Sequence, residues 1–556
     1  MKTGVQRKFK NLTGAQAIVE CMKIEGIKHV FCVPGESFLP VLDALFDEPS
    51  INVISARHEG GAAFMAEGYA KSTLKPGVVF ATRGVGAANL SIGVHTAFQD
   101  STPMVVFLGQ VHSKFRGREG FQEVDLDRYF QHIAKWAVEL KDPERMPEIV
   151  QRAFRLSQTG RPGPVIVSLP EDVLPVEVNM LFGPGTIKPT PVPSHEEVKR
   201  VESLLAEAKY PLIIAGGGVK SSQAENTLLL FSEKYKIPVI AAFRRHDVYP
   251  NNHPLYVGHL GLGINRKVLQ TVKEADVILA LGTRLSEVTT QDYSIIDANK
   301  RLIHIDIDYE TIGKVYAPEI GIVADLHESL KSLLNMNVTG SWSNWANERR
   351  KAYESISTLT VTDDDVINKH IIAILERKLP KNALLTNDAG NFAGWLHEFY
   401  PFNEKHTYVG PTSGAMGYGM PAALGAKLAF PEKVVVSLSG DGGFMMTAQE
   451  LETAVRYRIP VICLVFNNNM YGTIRMHQEI HYPEKVIATD LGTVSFSKLA
   501  FSLGADGFIA NTIEEFETSF EHALKSQRPT VIEIITDKEQ ISVSSTINQI
   551  RNTVKQ

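Results

Sequence analysis

Short apolar runs rich in valine and isoleucine alternate with longer stretches of helical period along the whole chain. The runs have the length of strands and lack polar alternation, which is typical of strands buried on both faces of a parallel sheet. The clearest runs are residues 77–81, 103–108, 164–168, 211–215, 238–241, 277–281, 434–437 and 460–465. Because the alternation repeats from end to end, it predicts several doubly wound α/β units.

Two stretches interrupt this alternation and indicate linkers. Residues 183–194 contain four prolines, which disfavour both helix and central strand. Residues 335–365 are polar apart from a helical patch at 342–353. The sequence therefore predicts three doubly wound parallel-sheet domains, at residues 1–185, 190–340 and 360–550. The first and third could be related in fold, since each begins with a helical segment and reaches a glycine-rich turn after a strand.

Composition and charge exclude several classes of function. The chain has 57 basic and 62 acidic side chains, a formal net charge of −5, and no block of like charge. A nucleic-acid partner is not expected, because that function calls for a strongly basic face. No apolar run approaches the roughly 18 residues of a membrane helix, and no signal-peptide core follows the basic first ten residues. We therefore expect a cytoplasmic protein without a membrane partner.

Three cysteines, Cys21, Cys32 and Cys463, are too few and too scattered for a disulfide framework or a zinc site. Each stands in apolar surroundings, which predicts buried, reduced thiols.

The most informative motif is Ser-Gly-Asp-Gly-Gly-Phe at 439–444, between a predicted strand and a helical pattern at 446–456. The next predicted strand ends in three asparagines, 467–469, so both turns lie where open α/β sheets bind ligands. Glycines let backbone amides approach a phosphate, and Asp441 with the asparagines offers oxygen ligands to Mg²⁺. The alternative is an ordinary strand–turn–helix with a solvated aspartate.

The order strand, GDG, helix, strand, asparagine pair resembles the cofactor signature of thiamine diphosphate enzymes. The resemblance implies that Asp441, Asn468 and the Met470 carbonyl bind Mg²⁺, with Asn468 following Asp441 by 27 positions. It also implies that the turn binds the cofactor diphosphate. The cofactor-binding residues implied for this third domain are Met416, Gly440, Gly442, Gly443, Asn468 and Met470.

A second segment, RHEGGAAFMAEGYA at 57–70, follows a predicted strand at 51–55 and is expected to form a turn over 57–61 and a helix over 62–70. By pattern alone, Glu59 is a carboxylate at a helix N-terminus. The segment resembles the one whose glutamate hydrogen-bonds the aminopyrimidine ring of thiamine diphosphate, which implies that Glu59 promotes formation of the cofactor's nucleophilic carbon.

A third segment, 412–426, is predicted to be a loop turning into a helix. Met416 takes the place of the family's large apolar residue that bends the cofactor, although a core filler is the usual role of a methionine.

Segments 83–90, 97–104, 109–111 and 120–125, with Lys135, resemble the first domain of acetolactate synthases. The resemblance implies that Phe121 and Gln122 line the reacting centre; the alternative is a surface loop. Decarboxylases of this family carry two adjacent histidines here, whereas this chain has His112 and Ser113. Without that proton donor, an enamine would survive to attack a second carbonyl, so two pyruvates would give 2-acetolactate and CO₂.

Three departures limit the resemblance. Residues 215–218, 282–287 and 304–308 resemble a flavin-holding domain and include Arg284, but Ser286-Glu287 replaces the usual acidic pair. FAD is therefore possible, and a Rossmann-like domain without nucleotide is the alternative. His477 stands where a tryptophan favours 2-oxobutyrate as acceptor. The segment Phe-Arg-Arg-His-Asp at 243–247 is either a surface salt-bridge cluster or an anion-binding loop.

The resemblance implies a pyrimidine-binding first domain, a Rossmann-like middle domain and a diphosphate-binding third domain. In this family the cofactor lies between the first domain of one subunit and the third of another, so a homodimer or homotetramer acting on 2-oxo acids is implied. Two alternatives stay open: another decarboxylase or carboligase on the same scaffold, and a catalytically silent regulatory or binding subunit.

Overall fold

The computed structural model describes residues 8–554, which form three α/β domains, each built on a six-stranded parallel sheet. This confirms the predicted fold class. Every predicted strand overlaps an observed one, because the apolar runs are buried on both faces by flanking helices.

The first domain contains a sheet in the order β3-β2-β4-β5-β7-β6, flanked by the antiparallel pair β1 and β8. Its strands are β1 (Lys8–Thr13), β2 (His29–Cys32), β3 (Asn52–Ser55), β4 (Gly77–Thr82), β5 (Met104–Gln110), β6 (Trp136–Glu139), β7 (Pro164–Pro170) and β8 (Glu177–Phe182). Its helices are α1 (Gly14–Ile24), α2 (Leu39–Phe46), α3 (Glu59–Thr73), α4 (Arg83–Asp100), α5 (Leu126–Tyr129) and α6 (Met146–Gln158).

The middle domain has the strand order β11-β10-β9-β12-β13-β14, which is the arrangement of the Rossmann fold. Its strands are β9 (Pro211–Ala215), β10 (Val239–Ala241), β11 (Tyr256–His259), β12 (Val277–Leu281), β13 (Arg301–Asp306) and β14 (Ile320–Val323). Its helices are α7 (His195–Glu207), α8 (Gly217–Ser221), α9 (Glu225–Tyr235), α10 (Arg266–Glu274), α11 (Glu287–Thr290), α12 (Leu326–Leu333) and α13 (Ser343–Ser357).

The third domain has the strand order β16-β15-β17-β18-β20-β19. Its strands are β15 (Leu384–Asn387), β16 (Tyr408–Val409), β17 (Val435–Gly440), β18 (Ile462–Asn467), β19 (Asp506–Ala510) and β20 (Thr530–Ile535). Its helices are α14 (Ile367–Lys378), α15 (Ala393–Phe399), α16 (Gly419–Ala429), α17 (Asp441–Thr447), α18 (Glu450–Arg456), α19 (Gly472–His481), α20 (Phe496–Ser502), α21 (Ile513–Lys525) and α22 (Ile547–Val554).

The first and third sheets share one topology. Numbered from the first strand of its own sheet, each has the order 2-1-3-4-6-5. The expected relation in fold between these two domains is therefore confirmed, although their sequences show no evident repeat.

The two stretches interpreted as linkers differ in the structure. Residues 183–194 contain neither helix nor strand, as predicted. The helical patch of the second stretch is α13, which packs against the middle sheet because Trp342 and Trp345 are buried in that core. The indole nitrogen of Trp345 donates a hydrogen bond to the carbonyl of Pro211 on β9, 3.0 Å away.

Helices α3 and α16 join the first and third domains in one hydrophobic core. A Cβ atom at Gly68 would lie 2.4 Å from the carbonyl oxygen of Ala422, and one at Gly425 would lie 2.0 Å from that of Met65. Only glycine allows the two helix backbones to approach so closely.

The three cysteines are free and buried, which confirms that prediction. Burial raises the pKa of the Cys32 and Cys463 thiols to about 12. Across residues 8–554, no helix is long and apolar enough to cross a membrane.

Candidate active site

The glycine turn lies at the carboxyl end of β17, and α17 begins at Asp441 itself rather than at the predicted residue 446. The backbone amide of Gly442 donates to Asp441 Oδ1 at 2.8 Å. A Cβ at Gly442 would lie 2.5 Å from the ring of Tyr471, and one at Gly443 would lie 2.9 Å from Asp388 Oδ2. The turn has no room for side chains and lies at a helix N-terminus, the position that favours binding of an anion.

The Asp441 carboxylate is 6% exposed, and its Oδ2 has no hydrogen-bond partner among the described residues. Burial raises the pKa of Asp441, while the backbone amides of Gly442 and residues 468–470 oppose that rise. A buried carboxylate oxygen without a donor is costly unless a cation or proton satisfies it. The donor set at this position therefore fits a divalent cation.

The asparagines at the end of β18 have different surroundings. Asn467 is buried, and its side chain lies in the domain interior, where Nδ2 donates a hydrogen bond to Glu533 Oε1 at 2.9 Å. Asn468 Oδ1 accepts only a local hydrogen bond, from the amide of Met470 at 3.2 Å. The backbone amides of Asn468 and Met470 lie against the Asp441 carboxylate, and the Met470 carbonyl accepts a hydrogen bond from the Gly472 amide at 3.0 Å.

Met416 is half-buried in the loop that precedes α16. The next residue, Gly417, has φ +78°, and its carbonyl accepts a hydrogen bond from Thr447 Oγ1 at 2.8 Å. This contact places the Met416 loop against α17. We call the set Met416, Gly440, Asp441, Gly442, Gly443, Asn468 and Met470 the aspartate half-site.

Glu59 is the first residue of α3, which starts three residues earlier than predicted because His58 Nδ1 accepts the Gly60 amide at 3.0 Å. The Glu59 side chain is nearly buried, and its Oε2 accepts a hydrogen bond from Asn89 Nδ2 on α4 at 2.9 Å. A Cβ at Gly86 would lie 3.1 Å from Glu59 Oε1. Asn89 therefore orients the carboxylate, a role that the sequence did not reveal.

The loop that carries Phe121 and Gln122 packs against the start of α4, the helix that also carries Asn89. The Gly84 amide donates to the Gln122 carbonyl at 3.0 Å, and Gln122 has φ +65°. The Phe121 side chain is 72% exposed. We call Glu59, Asn89, Phe121 and Gln122 the glutamate half-site.

A residue of the third domain holds the backbone just before Glu59. Glu450 on α18 is fully buried and accepts hydrogen bonds from the amides of Arg57 (3.1 Å to Oε2) and His58 (2.9 Å to Oε1). It also accepts from Thr453 Oγ1 at 2.7 Å, and burial raises its pKa. This contact spans nearly 400 residues, and no local pattern marks it.

Within residues 8–554, no hydrogen bond or ion pair joins a member of the glutamate half-site to a member of the aspartate half-site. Each is flanked by exposed apolar side chains on its own helix or loop. These are Val85, Ile92 and Phe121 beside the glutamate half-site, and Met445, Met446 and Ile474 beside the aspartate half-site.

A cavity of about 590 Å³ lies where the three domains meet. The turns that follow β9, β12 and β13 line it. These turns stand at the carboxyl ends of the strands, where Rossmann-like domains bind ligands. A Cβ at Gly218 would lie 2.5 Å from the Gly282 backbone. Cations outnumber acids in its lining, which contains Lys71, Arg161, Lys188, Lys220, Arg244, Arg245, Arg284 and Lys314 against Asp100, Glu287 and Asp306.

Arg284, Ser286 and Glu287 all line this cavity. Burial lowers the pKa of the Arg284 guanidinium to about 10, and burial raises that of Asp306 to about 6. The excess of cations makes the cavity suited to a polyanion.

The interpretation of residues 243–247 as a surface salt-bridge cluster is wrong. Arg244, His246 and Asp247 are buried, and Asp247 pairs with Lys220 at 2.5 Å. Arg245 pairs with Asp100 of the first domain at 3.2 Å. The segment is buried because it fills the junction of the three domains, where partners distant in sequence pair with Arg245 and Asp247. Nε and Nη1 of Arg244 are buried and have no hydrogen-bond partner among residues 8–554.

His477 is exposed on α19, and its ring is parallel to that of His481 at a centroid distance of 6.3 Å. The helix begins two residues after Met470, so His477 lies on the element that leaves the aspartate half-site.

Three family models match the chain. The model described as "Thiamine pyrophosphate enzyme, N-terminal TPP binding domain" matches residues 12–129. The model of the "central domain" of these enzymes matches residues 198–333, and the model of their "C-terminal TPP binding domain" matches residues 388–534.

Several proteins are similar over most of the chain. A probable acetolactate synthase large subunit of Methanocaldococcus jannaschii is 34% identical over 549 residues, covering 95% of this chain and 92% of the relative. The acetolactate synthase large subunit of Lactococcus lactis is 35% identical, covering 86% and 84%. That of Haemophilus influenzae is 32% identical, covering 96% of both chains.

Proposed function

The chain belongs to the thiamine pyrophosphate (thiamine diphosphate) enzymes, and on this basis we propose that it joins 2-oxo acids with loss of CO₂, converting two pyruvates to 2-acetolactate. The observation that carries the proposal is the pair of half-sites, one with a buried, oriented Glu59 and one with an unpartnered Asp441 oxygen beside a glycine turn. The likeness to acetolactate synthase large subunits over 95% of the chain supports this reaction.

Asp441, Asn468 and the Met470 carbonyl are the proposed Mg²⁺ ligands, since one buried carboxylate and two neutral oxygens lie together there. The amides of the glycine turn, at Gly440 to Gly443, would bind the diphosphate. When bound, thiamine diphosphate supplies the carbon nucleophile and the electron sink of the reaction. Met416 would fix its bent conformation.

Glu59 would share a proton with the aminopyrimidine ring, and Asn89 holds the carboxylate in place for that exchange. Phe121 and Gln122 would cover the reacting centre and exclude water. The loop after β5 has His112 followed by Ser113 rather than two adjacent histidines, so the protonation that releases an aldehyde lacks its donor pair.

A complete site would need two chains. The apolar side chains exposed beside each half-site, such as Val85 on α4 and Met445 on α17, would be buried if the glutamate half-site of one chain met the aspartate half-site of another. We therefore propose a homodimer or homotetramer. From the likeness to acetolactate synthase large subunits, we also propose that it acts in the cytoplasm, in branched-chain amino acid biosynthesis.

The three-domain cavity fits a dinucleotide, and FAD is the ligand that we propose for it. Its glycine turns at Gly218 and Gly282 pack backbone against backbone at the edge of the cavity. Arg161 and Arg284, which form no ion pair within residues 8–554, offer positive charge to a diphosphate. FAD has no redox work in this reaction. Extraction of the purified protein and its absorption near 450 nm would show the flavin, and Arg284→Gln should lower its content.

The test is incubation of the purified protein with pyruvate, Mg²⁺ and thiamine diphosphate, with products identified by mass. We expect acetolactate only when both cofactors are present. Acetaldehyde without acetolactate would favour a decarboxylase, and no turnover of a panel of 2-oxo acids would favour a silent subunit. A second candidate, carboligation to an aldehyde, is favoured by the exposed His477 and is tested by adding an aldehyde acceptor.

A further inference from the structure

Arg83 begins α4 directly after β4, at the carboxyl edge of the first sheet. Its side chain is only 9% exposed. Nη1 lies 3.0 Å from Glu36 Oε1, and Nη2 lies 3.1 Å from Glu171 Oε2. Nε is buried and donates to no acceptor in residues 8–554. The guanidinium therefore has more donors than its protein partners use.

This side chain touches the glutamate half-site at Phe121, whose carbonyl accepts a hydrogen bond from Arg83 Nη1 at 3.5 Å. One turn further along α4, Gly86 packs on the Glu59 carboxylate. On the other side, the Arg83 guanidinium carbon lies 5.9 Å from the centre of the Phe121 ring. An anion bound by Arg83 would thus lie beside Phe121, on the helix whose next turn packs on Glu59.

The backbone at this point is strained. Arg83 has φ +42° and Gln122 has φ +65°, in the left-handed region that side chains with a Cβ disfavour. A Cβ at Gly84 would lie 2.6 Å from Val124, so the loop and the helix start interlock. Such strain concentrates where a fold holds a ligand-binding group in position.

Glu36 is the partner that can be exchanged. Its side chain is 65% exposed, and within the described residues Arg83 is its one ion-pair partner. A pair with a largely exposed carboxylate contributes little stability, and arginine binds a carboxylate through two parallel hydrogen bonds. If the carboxylate of a ligand displaced the Glu36 carboxylate from Arg83, the charge beside the guanidinium would stay the same.

We propose that Arg83 binds the carboxylate of the 2-oxo acid substrate and that Glu36 occupies that position until the substrate arrives. The proposal rests on the proposed function, because it names the group that recognises the feature common to all 2-oxo acids. It predicts that the site distinguishes an acid from a neutral analogue of the same shape.

The test is isothermal titration of the enzyme, loaded with thiamine diphosphate and Mg²⁺, with oxamate and with oxamide, an unreactive acid and its neutral counterpart. Arg83→Gln should weaken oxamate binding about 10- to 100-fold, the loss expected for a charge-assisted hydrogen bond, and leave oxamide unchanged. Glu36→Gln should tighten oxamate binding about two- to fivefold, since it removes a weak competitor. The control is Arg145→Gln, an exposed arginine that pairs with Glu148.

Equal effects of Arg83→Gln on both probes, or none on oxamate, would overturn the proposal. If Arg83→Gln does not fold, Glu36→Gln decides, because weaker or unchanged oxamate binding contradicts the exchange. A wild-type enzyme that binds oxamate through Arg83 but forms no acetolactate would refute the reaction and leave Arg83 in its role. If Arg83→Gln forms acetolactate with an unchanged KM for pyruvate, the reaction stands and the role of Arg83 is refuted.

Discussion

Replacement of Glu450 by alanine removes the acceptor for two backbone amides that lie just before Glu59. The amides of Arg57 and His58 donate to its carboxylate at 3.1 and 2.9 Å, and the side chain is fully buried. Alanine supplies no alternative acceptor.

A fully buried amide left without an acceptor costs about 1–3 kcal/mol; these two hydrogen bonds are part-buried, so the pair predicts a loss of about 2–3 kcal/mol in the free energy of unfolding. For domains of this size, each kcal/mol corresponds to a fall of roughly 2–4 °C in unfolding temperature. Turnover should fall at least about tenfold, because a small displacement of Glu59 misplaces a group that must meet its partner within hydrogen-bond distance.

Calorimetry without cofactor gives the stability, and initial rates with saturating cofactor give the turnover. The matched control is Glu452→Ala, two residues along the same helix, whose carboxylate pairs at the surface with Arg456 at 3.2 Å and with the Arg57 side chain at 3.9 Å but accepts neither backbone amide. This variant should stay within about 0.5 kcal/mol of wild type. Equal unfolding temperatures for Glu450→Ala and Glu452→Ala, or full turnover in the first, would refute the positioning of Glu59 by α18.

Four further outcomes are expected. Glu59→Gln should bind thiamine diphosphate in calorimetric titration yet lose most turnover, and retained activity would remove Glu59 from its role. Asp441→Asn should abolish the rise in unfolding temperature that Mg²⁺ and thiamine diphosphate give wild type, and a persisting rise would contradict the metal site. Gly442→Ala places a Cβ 2.5 Å from a tyrosine ring and should weaken cofactor binding at least about tenfold, whereas Gly492→Ala, with no atom within 4 Å, should not. Burial lowers the pKa of His259 to about 4, so the unfolded chain takes up the proton first. The stability that the neutral ring contributes above about pH 6.5 is therefore lost as the pH falls toward 4, and His259→Gln should flatten that fall in thermal unfolding scans.

The sheets could be predicted from the sequence because their strands are short, apolar and buried on both faces, as at 104–110 and 277–281. The glycine turn could be predicted for a related reason: Asp441 and the glycines around it, which we propose hold Mg²⁺ and the cofactor diphosphate, are contiguous in the sequence. The strand order was not predictable, because it depends on pairing between segments that are far apart in the chain.

The remainder of the site arises from long-range contacts. Asn89 contacts Glu59 from 30 residues away, and Glu450 contacts His58 from 392 residues away. A charged segment such as 243–247 favours a surface position in isolation. Its burial follows from partners such as Asp100, which lies 145 residues from Arg245.

The ratio of 2-acetolactate to CO₂ formed from pyruvate tests the central claim most directly. With Mg²⁺ and thiamine diphosphate present, each CO₂ should be accompanied by one acetolactate and by the loss of two pyruvates. One acetaldehyde for each CO₂, with no acetolactate, would contradict the carboligation that we propose for this chain.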